Sequence, residues 1–349
     1  MKRIIWATGL MGLAGVASAQ SKVELFGVVD VGVARLSGTG VSKVGLSTGG
    51  ANISRLGFRG TEDLGGGLKA GFWLEAGLDV DSGQGKGTGG GLSFNRRSTV
   101  SLMGNFGELR LGRDDSASFL NTLIFDPFLT NGVGGTMGFT MLGIPGAANA
   151  TGGAPIQISN AISYFLPENL GGFYGQVQLA LGEQPSGTPN HKQGDYRGVR
   201  LGYRQGPLHA ALAAAKLYGD TSGNDLTAGN VGLSYDLGMV KPMLLWASEK
   251  RGSLKVTILQ LGATAPVGNG ELRASYGHYN TADSNADWNK ISLGYGYNFS
   301  KRTQVYGTYG YVKNKDGANR SIGVQGLSAT GTSYGGSSSG IEVGIRHFF

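Results

Sequence analysis

The sequence predicts an all-β fold, a sixteen-stranded antiparallel transmembrane β-barrel. Three observations carry that prediction. Apolar and polar residues alternate strictly through segment after segment of about ten residues, the mark of strands with two different faces. Beyond the N-terminus no apolar run reaches the ~18 residues that a helical membrane span needs. The connections also sort by length in alternation. Asn105, Gln205-Gly206 and Asp236 to Gly238 are tight turns, and the long connections are 36–48, 81–91, 114–155, 183–194 and 314–338. Short turns at one end and long loops at the other suit a membrane-spanning barrel with periplasmic turns and extracellular loops.

Composition agrees with this class. Gly accounts for 65 of 349 residues, yet 40% of the chain is hydrophobic, so it buries apolar surface and is not low-complexity disorder. The Gly has no triplet period, which excludes a collagen-like chain. The absence of Cys excludes a disulfide scaffold, Cys-zinc and iron–sulfur sites, and a Cys nucleophile. A mean hydropathy of −0.08 fits a barrel in which only every second strand residue faces lipid.

Taken in order, the chain begins with a basic Met1-Lys2-Arg3, an apolar stretch from Ile4 to Val16, and small residues at Ala17-Ser18-Ala19. The apolar stretch is too short to cross a bilayer, and the pattern is that of a secretory signal peptide over 1–19, cut after Ala19. The barrel then occupies 20–349, starting at Gln20. Loss of Lys2 and Arg3 lowers the formal charge from +7 to +5. A modest positive charge on an exported, Gly-rich chain is no argument for nucleic acid as a partner.

Strands are expected near 22–35, 49–61, 67–80, 92–104, 106–113, 156–165, 172–182, 195–204, 207–218, 226–236, 239–250, 255–264, 269–281, 288–299, 302–313 and 339–349. In the segment 288–299, Ile291, Leu293, Tyr295, Tyr297 and Phe299 share one face, and Ser292, Gly294, Gly296 and Asn298 the other. In 172–182, Phe173, Val177, Leu179 and Leu181 oppose Tyr174, Gln176 and Gln178. In 67–80, Leu68, Phe72, Leu74 and Leu78 oppose Lys69, Trp73, Glu75 and Asp79. Gly recurs on the polar faces, which suits a wet interior. Segments 239–250 and 255–264 are apolar on both faces, so alternation leaves their orientation open; contact with another protomer is one reading. The last segment ends in Phe349, and pairing it with Val23 to Val33 would close the sheet and remove its edges.

These residues carry a resemblance to the Gram-negative general porins, in their β-proteobacterial branch of trimeric sixteen-stranded barrels. It runs through Val23-Glu24-Leu25-Phe26-Gly27-Val28-Val29-Asp30 and Ser54-Arg55-Leu56-Gly57-Phe58-Arg59-Gly60-Thr61-Glu62-Asp63-Leu64-Gly65-Gly66-Gly67-Leu68. It continues in Phe94-Asn95-Arg96-Arg97, Leu111-Gly112-Arg113, Leu293-Gly294-Tyr295, Ser300-Lys301-Arg302-Thr303 and the terminal Phe349. The Ser54 to Leu68 block is the specific part. The resemblance implies a passive channel for small hydrophilic solutes in the outer membrane, among its lipids. It also implies a homotrimer and a third long loop that folds into the barrel and narrows it.

Parity puts Arg55 and Arg59 opposite Leu56 and Phe58, and Arg97 opposite Phe94 and Val100, so these Arg face the lumen if the apolar residues face lipid. Arg113 shares parity with Leu109 and Leu111, and alternation leaves its side open; in the resembled family an Arg after Leu-Gly lines the pore. The expected basic wall is therefore Arg55, Arg59, Arg97 and Arg113, with Trp73, Glu75 and Gln157 also on the lumen wall. Arg keeps its charge at any working pH. Burying it dry is costly, so such a cluster needs water or paired acids. A wet ring of Arg attracts anions. Pairing with Asp30, Glu75 or Asp79 is the competing expectation.

The loop from Ser116 to Pro167 contains one charged residue, Asp126, in Asp126-Pro127-Phe128. It cannot balance several Arg. Its apolar side chains, Phe119 to Leu129, suit packing inside a barrel, and a loop this long is usually functional. Relatives often carry an Arg where Gln157 stands, which weakens the positive side.

Enzyme chemistry finds no support. His191, His209, His278 and His347 show no two-His metal spacing, so neither a metal nor a cofactor is expected. Gly85 to Gly90 fits G-x-G-x-x-G, but lies in a loop ahead of a strand with no helix to receive a phosphate. The remaining alternatives are a channel tuned to one substrate class, such as organic acids, and a secreted structural or adhesive barrel. The Ser- and Gly-rich end of the last loop is expected to be flexible.

Overall fold

The computed structural model describes residues 22–137 and 155–349. The expected signal peptide and the part of the long loop at 138–154 lie outside the described residues. Eighteen hydrogen-bonded segments form one antiparallel sheet closed on itself. Two of them are halves of a single wall strand, and one, Gln84–Gly85, is a small ribbon in a loop. Sixteen wall strands remain.

In chain order these are β1 (Lys22–Ser37), β2 (Ser42–Thr48 continued by Arg55–Gly65), β3 (Leu68–Asp79), β4 (Arg97–Gly104), β5 (Gly107–Asp115), β6 (Gln157–Phe165), β7 (Phe173–Ala180) and β8 (Tyr196–Gln205). They continue as β9 (Leu208–Leu217), β10 (Leu226–Tyr235), β11 (Lys241–Arg251), β12 (Leu254–Val267), β13 (Gly270–Thr281), β14 (Trp288–Asn298), β15 (Thr303–Asn314) and β16 (Ser337–Phe348). Each pairs with its neighbours in the chain, and β16 returns to β1 from Val28↔Phe348 to Ser37↔Ser339. Phe349 completes the closure: its N–H donates to the Gly27 carbonyl at 3.1 Å, and its carbonyl accepts from the Gly27 N–H at 3.2 Å.

The barrel is inside out relative to a water-soluble protein. Ile291, Leu293, Val231 and Leu233 are 43–52% exposed, while Ser292, Asn230 and Ser234 on the alternate face are no more than 5% exposed. An apolar belt of this size is stable only against lipid. Exposed aromatic residues gather near the short-turn end, at Phe106, Phe173, Tyr235, Phe299 and Phe349. Amphipathic rings of this kind sit at a membrane–water boundary.

One expectation needs correction. The stretch 36–48 is not a long loop: β1 turns back within Gly38 to Val41 and runs into β2 at Ser42. The break comes later, at 49–54, where positive φ at Gly49 and two backbone N–H groups held by Asp30 Oδ2 (Ala51 at 2.9 Å, Asn52 at 2.6 Å) turn the chain out of register and back. Alternation misses this because it sees an insertion within a strand as the start of one. The open orientation of β11 and β12 is resolved on the inner side: their inward apolar residues meet this chain's own loops, while Trp246, Leu259 and Leu261 on the outer side stay exposed. Leu245 packs with Phe125, and Ala247, Val256 and Ile258 join a cluster with Val133, Ala318 and Ile322. In the last long connection, ahead of its Ser- and Gly-rich end, Ala318 and Ile322 are buried in that cluster.

Candidate functional site

The long loop after β5 enters the lumen at once. Ser116 caps the helix α1 (Ala117–Ile124), its hydroxyl accepting from the Phe119 N–H at 3.2 Å. The helix is tied to the wall by Asn121, whose amide donates to Asn230 Oδ1 at 2.9 Å and whose Oδ1 accepts from Arg200 Nε at 2.6 Å. Beyond the helix the chain crosses to the closing strands, where the Val133 N–H donates to Glu342 Oε2 at 3.1 Å and the Asn131 amide to the Ala51 carbonyl at 3.1 Å. The loop thus spans the lumen and is fastened on both sides.

Facing it is a basic wall at the upper ends of β2, β3 and β4. Glu75 Oε1 accepts from Arg55 Nη1 at 3.1 Å and from Arg96 Nε at 2.6 Å, and its Oε2 accepts from Trp73 Nε1 at 3.2 Å. Arg55, Lys86 and Arg96 line a cavity of about 360 Å³ whose other side is Phe119, Leu123 and Asn131 of the loop. Gln157 also lines it, donating to Asp115 Oδ1 at 2.9 Å. The loop presents no charge to this space among the described residues. Its acid, Asp126, is fully buried and turned the other way. Its Oδ2 accepts from the N–H groups of Thr130 and Thr136, both at 2.8 Å, and its Oδ1 from Gln260 Nε2 at 3.1 Å. Burial pushes this carboxyl above its ordinary pKa, against the pull of those donors. Pro127 and Phe128 pack beside it where Gly262 and Gly294 leave room.

The other Arg expected from the sequence lie elsewhere. Arg59 sits toward the short-turn end, and Arg97, opposite Glu75 at the start of β4, turns its side chain that way, so that both guanidiniums lie over the Trp73 ring at 5.1 and 4.3 Å. Arg59 pairs with Glu24 at 2.8 Å and Arg97 with Asp114 at 3.5 Å, around a second recess of about 420 Å³. Arg113 does not join Glu75. It donates from Nη1 to Ser159 Oγ at 2.6 Å and from Nε to the Asn95 carbonyl. A register shift between Gly112 and Asp114 sets it apart from the regular alternation of β5.

Arg96 and Lys86 were missed in the sequence for one reason. β4 begins at Arg97, so parity carried back from Val100 selects Arg97, while Arg96 stands just ahead of the strand where parity does not hold. The doublet Arg96-Arg97 was the available signal. Gln325, from the last loop, is also unforeseen. Its Nε2 donates to Asp79 Oδ1 at 2.9 Å, its carbonyl accepts from the Thr48 N–H at 2.9 Å, and it lines the same cavity.

Comparison with known proteins follows from this geometry. The family model for Gram-negative porins matches residues 7–317. Outer membrane porin protein 32 of Delftia acidovorans is 41% identical over 359 residues, covering 100% of both chains. Major outer membrane protein P.IB of Neisseria meningitidis serogroup B is 27% identical, again covering 100% of both. Among solved structures, the anion-selective porin from Comamonas acidovorans superposes with a TM-score of 0.83 at 40% identity, covering 95% of this chain and 100% of that one.

Proposed function

The chain belongs to the Gram-negative porin family and is a channel of the outer membrane, and from that premise we propose that it passes small hydrophilic solutes with a preference for anions, as a homotrimer. The observation that supports the preference is the asymmetry of the constriction. Arg55, Lys86 and Arg96 stand on one side. The other side is a loop whose acid is buried and turned away. Glu75, Asp79 and Asp115 partly offset the wall; Glu75 and Asp79 are enclosed by their own cations and by Gln325, Asp115 lines the cavity and accepts from Gln157, and the Arg55 and Arg96 side chains stay 23% and 20% exposed. In a wet channel, fixed cations raise the local concentration of anions and oppose cations. The anion selectivity stated for the Comamonas protein, at 40% identity, agrees with this reading.

Arg55, Arg96 and Lys86 form the constriction wall in this proposal, with Phe119, Leu123 and Asn131 opposite. Arg97, Arg59 and Trp73 continue the positive path toward the periplasm. The mature chain starts at Gln20, and Phe349 closes the barrel and marks it for assembly. The test is the reversal potential of the purified protein in a planar bilayer under a KCl gradient. A potential of the sign set by chloride is expected, with channel closures in three steps. A potential of the sign set by potassium would overturn the preference, and single-step closure the trimer.

A further inference from the structure

The outer surface of the barrel carries a row of cations at the long-loop end of β8 to β12. Arg197, Lys216, Thr227, Lys250 and Lys255 stand directly opposite one another, in turn, across these strands. Tyr196, Ala215, Leu226, Glu249 and Val256, each next to one of them in the chain, are buried on the lumen side, so the row itself faces outward. Four residues along each strand, about 13 Å closer to mid-wall, an apolar row keeps the same register: Leu201, Leu212, Val231, Trp246 and Leu259, 42–49% exposed. Between the two rows the side chains are small, at Ala214, Gly229, Ser248 and Thr257.

The cations are poorly neutralised. Arg197 lies opposite Lys216, and Lys250 opposite Lys255. Like charges in directly opposed positions destabilise a sheet. Asp225 pairs with Lys216 at 2.7 Å, while Arg197, Lys250 and Lys255 form no ion pair among the described residues. Glu249 adjoins Lys250 in the chain but points into the lumen, where it is 2% exposed. The Tyr218 ring serves both cations of the first pair, its centroid 5.4 Å from the Arg197 guanidinium carbon and 4.5 Å from the Lys216 ammonium. Outward charge is costly at the middle of a bilayer and tolerated at its surface. Long basic side chains and an amphipathic ring just above an apolar belt therefore mark the headgroup layer.

We propose that this row docks a phosphorylated lipid of the outer leaflet. One phosphate accepts from Lys250 and Lys255, and a second from Arg197 and Lys216. The two cation pairs are three strand spacings apart, about 14 Å, so the headgroup is one that carries two separated phosphates. Its sugar or glycerol part lies over the small residues, and its acyl chains lie over Leu201 to Leu259. The charge complementarity accounts for like charges held face to face on the lipid side of the wall.

The experiment titrates the purified full-length protein in detergent with diphosphorylated lipid A and counts bound lipid by native mass spectrometry. Dephosphorylated lipid A and phosphatidylglycerol are the comparison probes. The proteins are the wild type, the Lys250→Gln, Lys255→Gln double variant, the Arg197→Gln, Lys216→Gln double variant, and a Lys301→Gln, Arg302→Gln control at the short-turn end. All these side chains face outward or lie in an exposed turn, and an unchanged single-channel conductance checks that each barrel is intact. Saturable binding of diphosphorylated lipid A is expected. Each double variant on the row should raise its half-saturating concentration about thirtyfold, roughly fivefold for each cation lost. The control should leave it unchanged, and Lys250→Arg with Lys255→Arg should retain it. Unchanged binding in both row variants, or a loss as large in the control, would overturn the site. Equal binding of the dephosphorylated form would overturn phosphate recognition, and equal binding of phosphatidylglycerol the two-phosphate headgroup.

Discussion

Glu75 decides how much of the basic wall is free to act on a passing ion. It holds two guanidiniums, Arg55 and Arg96, and takes a third hydrogen bond from Trp73. Charge-assisted bonds of this kind orient both Arg side chains and cancel one of their two charges. Glu75→Gln should therefore strengthen the preference for chloride while loosening the wall. The expected result is a larger reversal potential with noisier current; a smaller potential would mean that orientation of the Arg matters more than their charge. Arg97→Gln should have a weaker effect than Arg96→Gln, because Arg97 is flattened on Trp73 and shares Asp114 with Arg110. Equal effects in reversal-potential measurements would contradict the placement of the constriction. Arg55 was legible in the sequence because β2 alternates regularly through Leu56 and Phe58. Arg96 was not, because only the boundary of β4 distinguishes it from its neighbour, and boundaries carry no periodic signal.

Among the elements, the long loop is the one whose conformation the function depends on. Its helix is capped by Ser116, and replacing a capping Ser by Ala costs about 1 kcal/mol. Its far end hangs on Glu342, which accepts from Val133 N–H and from the Ser47 hydroxyl at 2.6 Å. Glu342→Ala removes both acceptors in a fully buried position, where orphaned donors are expensive. Larger fluctuations of single-channel current and a lower unfolding temperature are expected; quiet channels of unchanged stability would show that the loop tip is held by packing alone. The entry of this loop into the barrel was readable from its length, its apolar content and the family resemblance. The inward fold of the last loop was not, since its Ser and Gly residues read as flexible. It is held there by a few contacts from elsewhere in the chain, such as Gln325 with Asp79 and Thr48. Replacing 318–330 by a short Gly-Ser linker should raise conductance; an unchanged value would place that loop outside the ion path.

At the scale of the whole molecule, sixteen strands, their order and most of their limits were visible in the sequence. A period of two is imposed by lipid on one side and water on the other, and it survives without any alignment. The exceptions have the same physical origin. β11 and β12 lose their alternation because their inner faces meet apolar loops instead of water. The break in β2 is invisible because an inserted bend leaves both halves regular. Closure through Phe349 and Gly27 makes the barrel free of edges. The positive lumen is a long-range field in a water-filled space, so raising KCl toward 1 M should weaken selectivity as the Debye length falls to about 3 Å; selectivity indifferent to salt would point to size exclusion. The central claim is that the sign of selectivity is set by Arg55 and Arg96 facing an uncharged loop. The most direct measurement is the chloride-to-potassium permeability ratio of the Arg55→Gln, Arg96→Gln double variant beside the wild type. A ratio that falls toward one, with an open channel retained, is the expected result. An unchanged ratio would contradict the account.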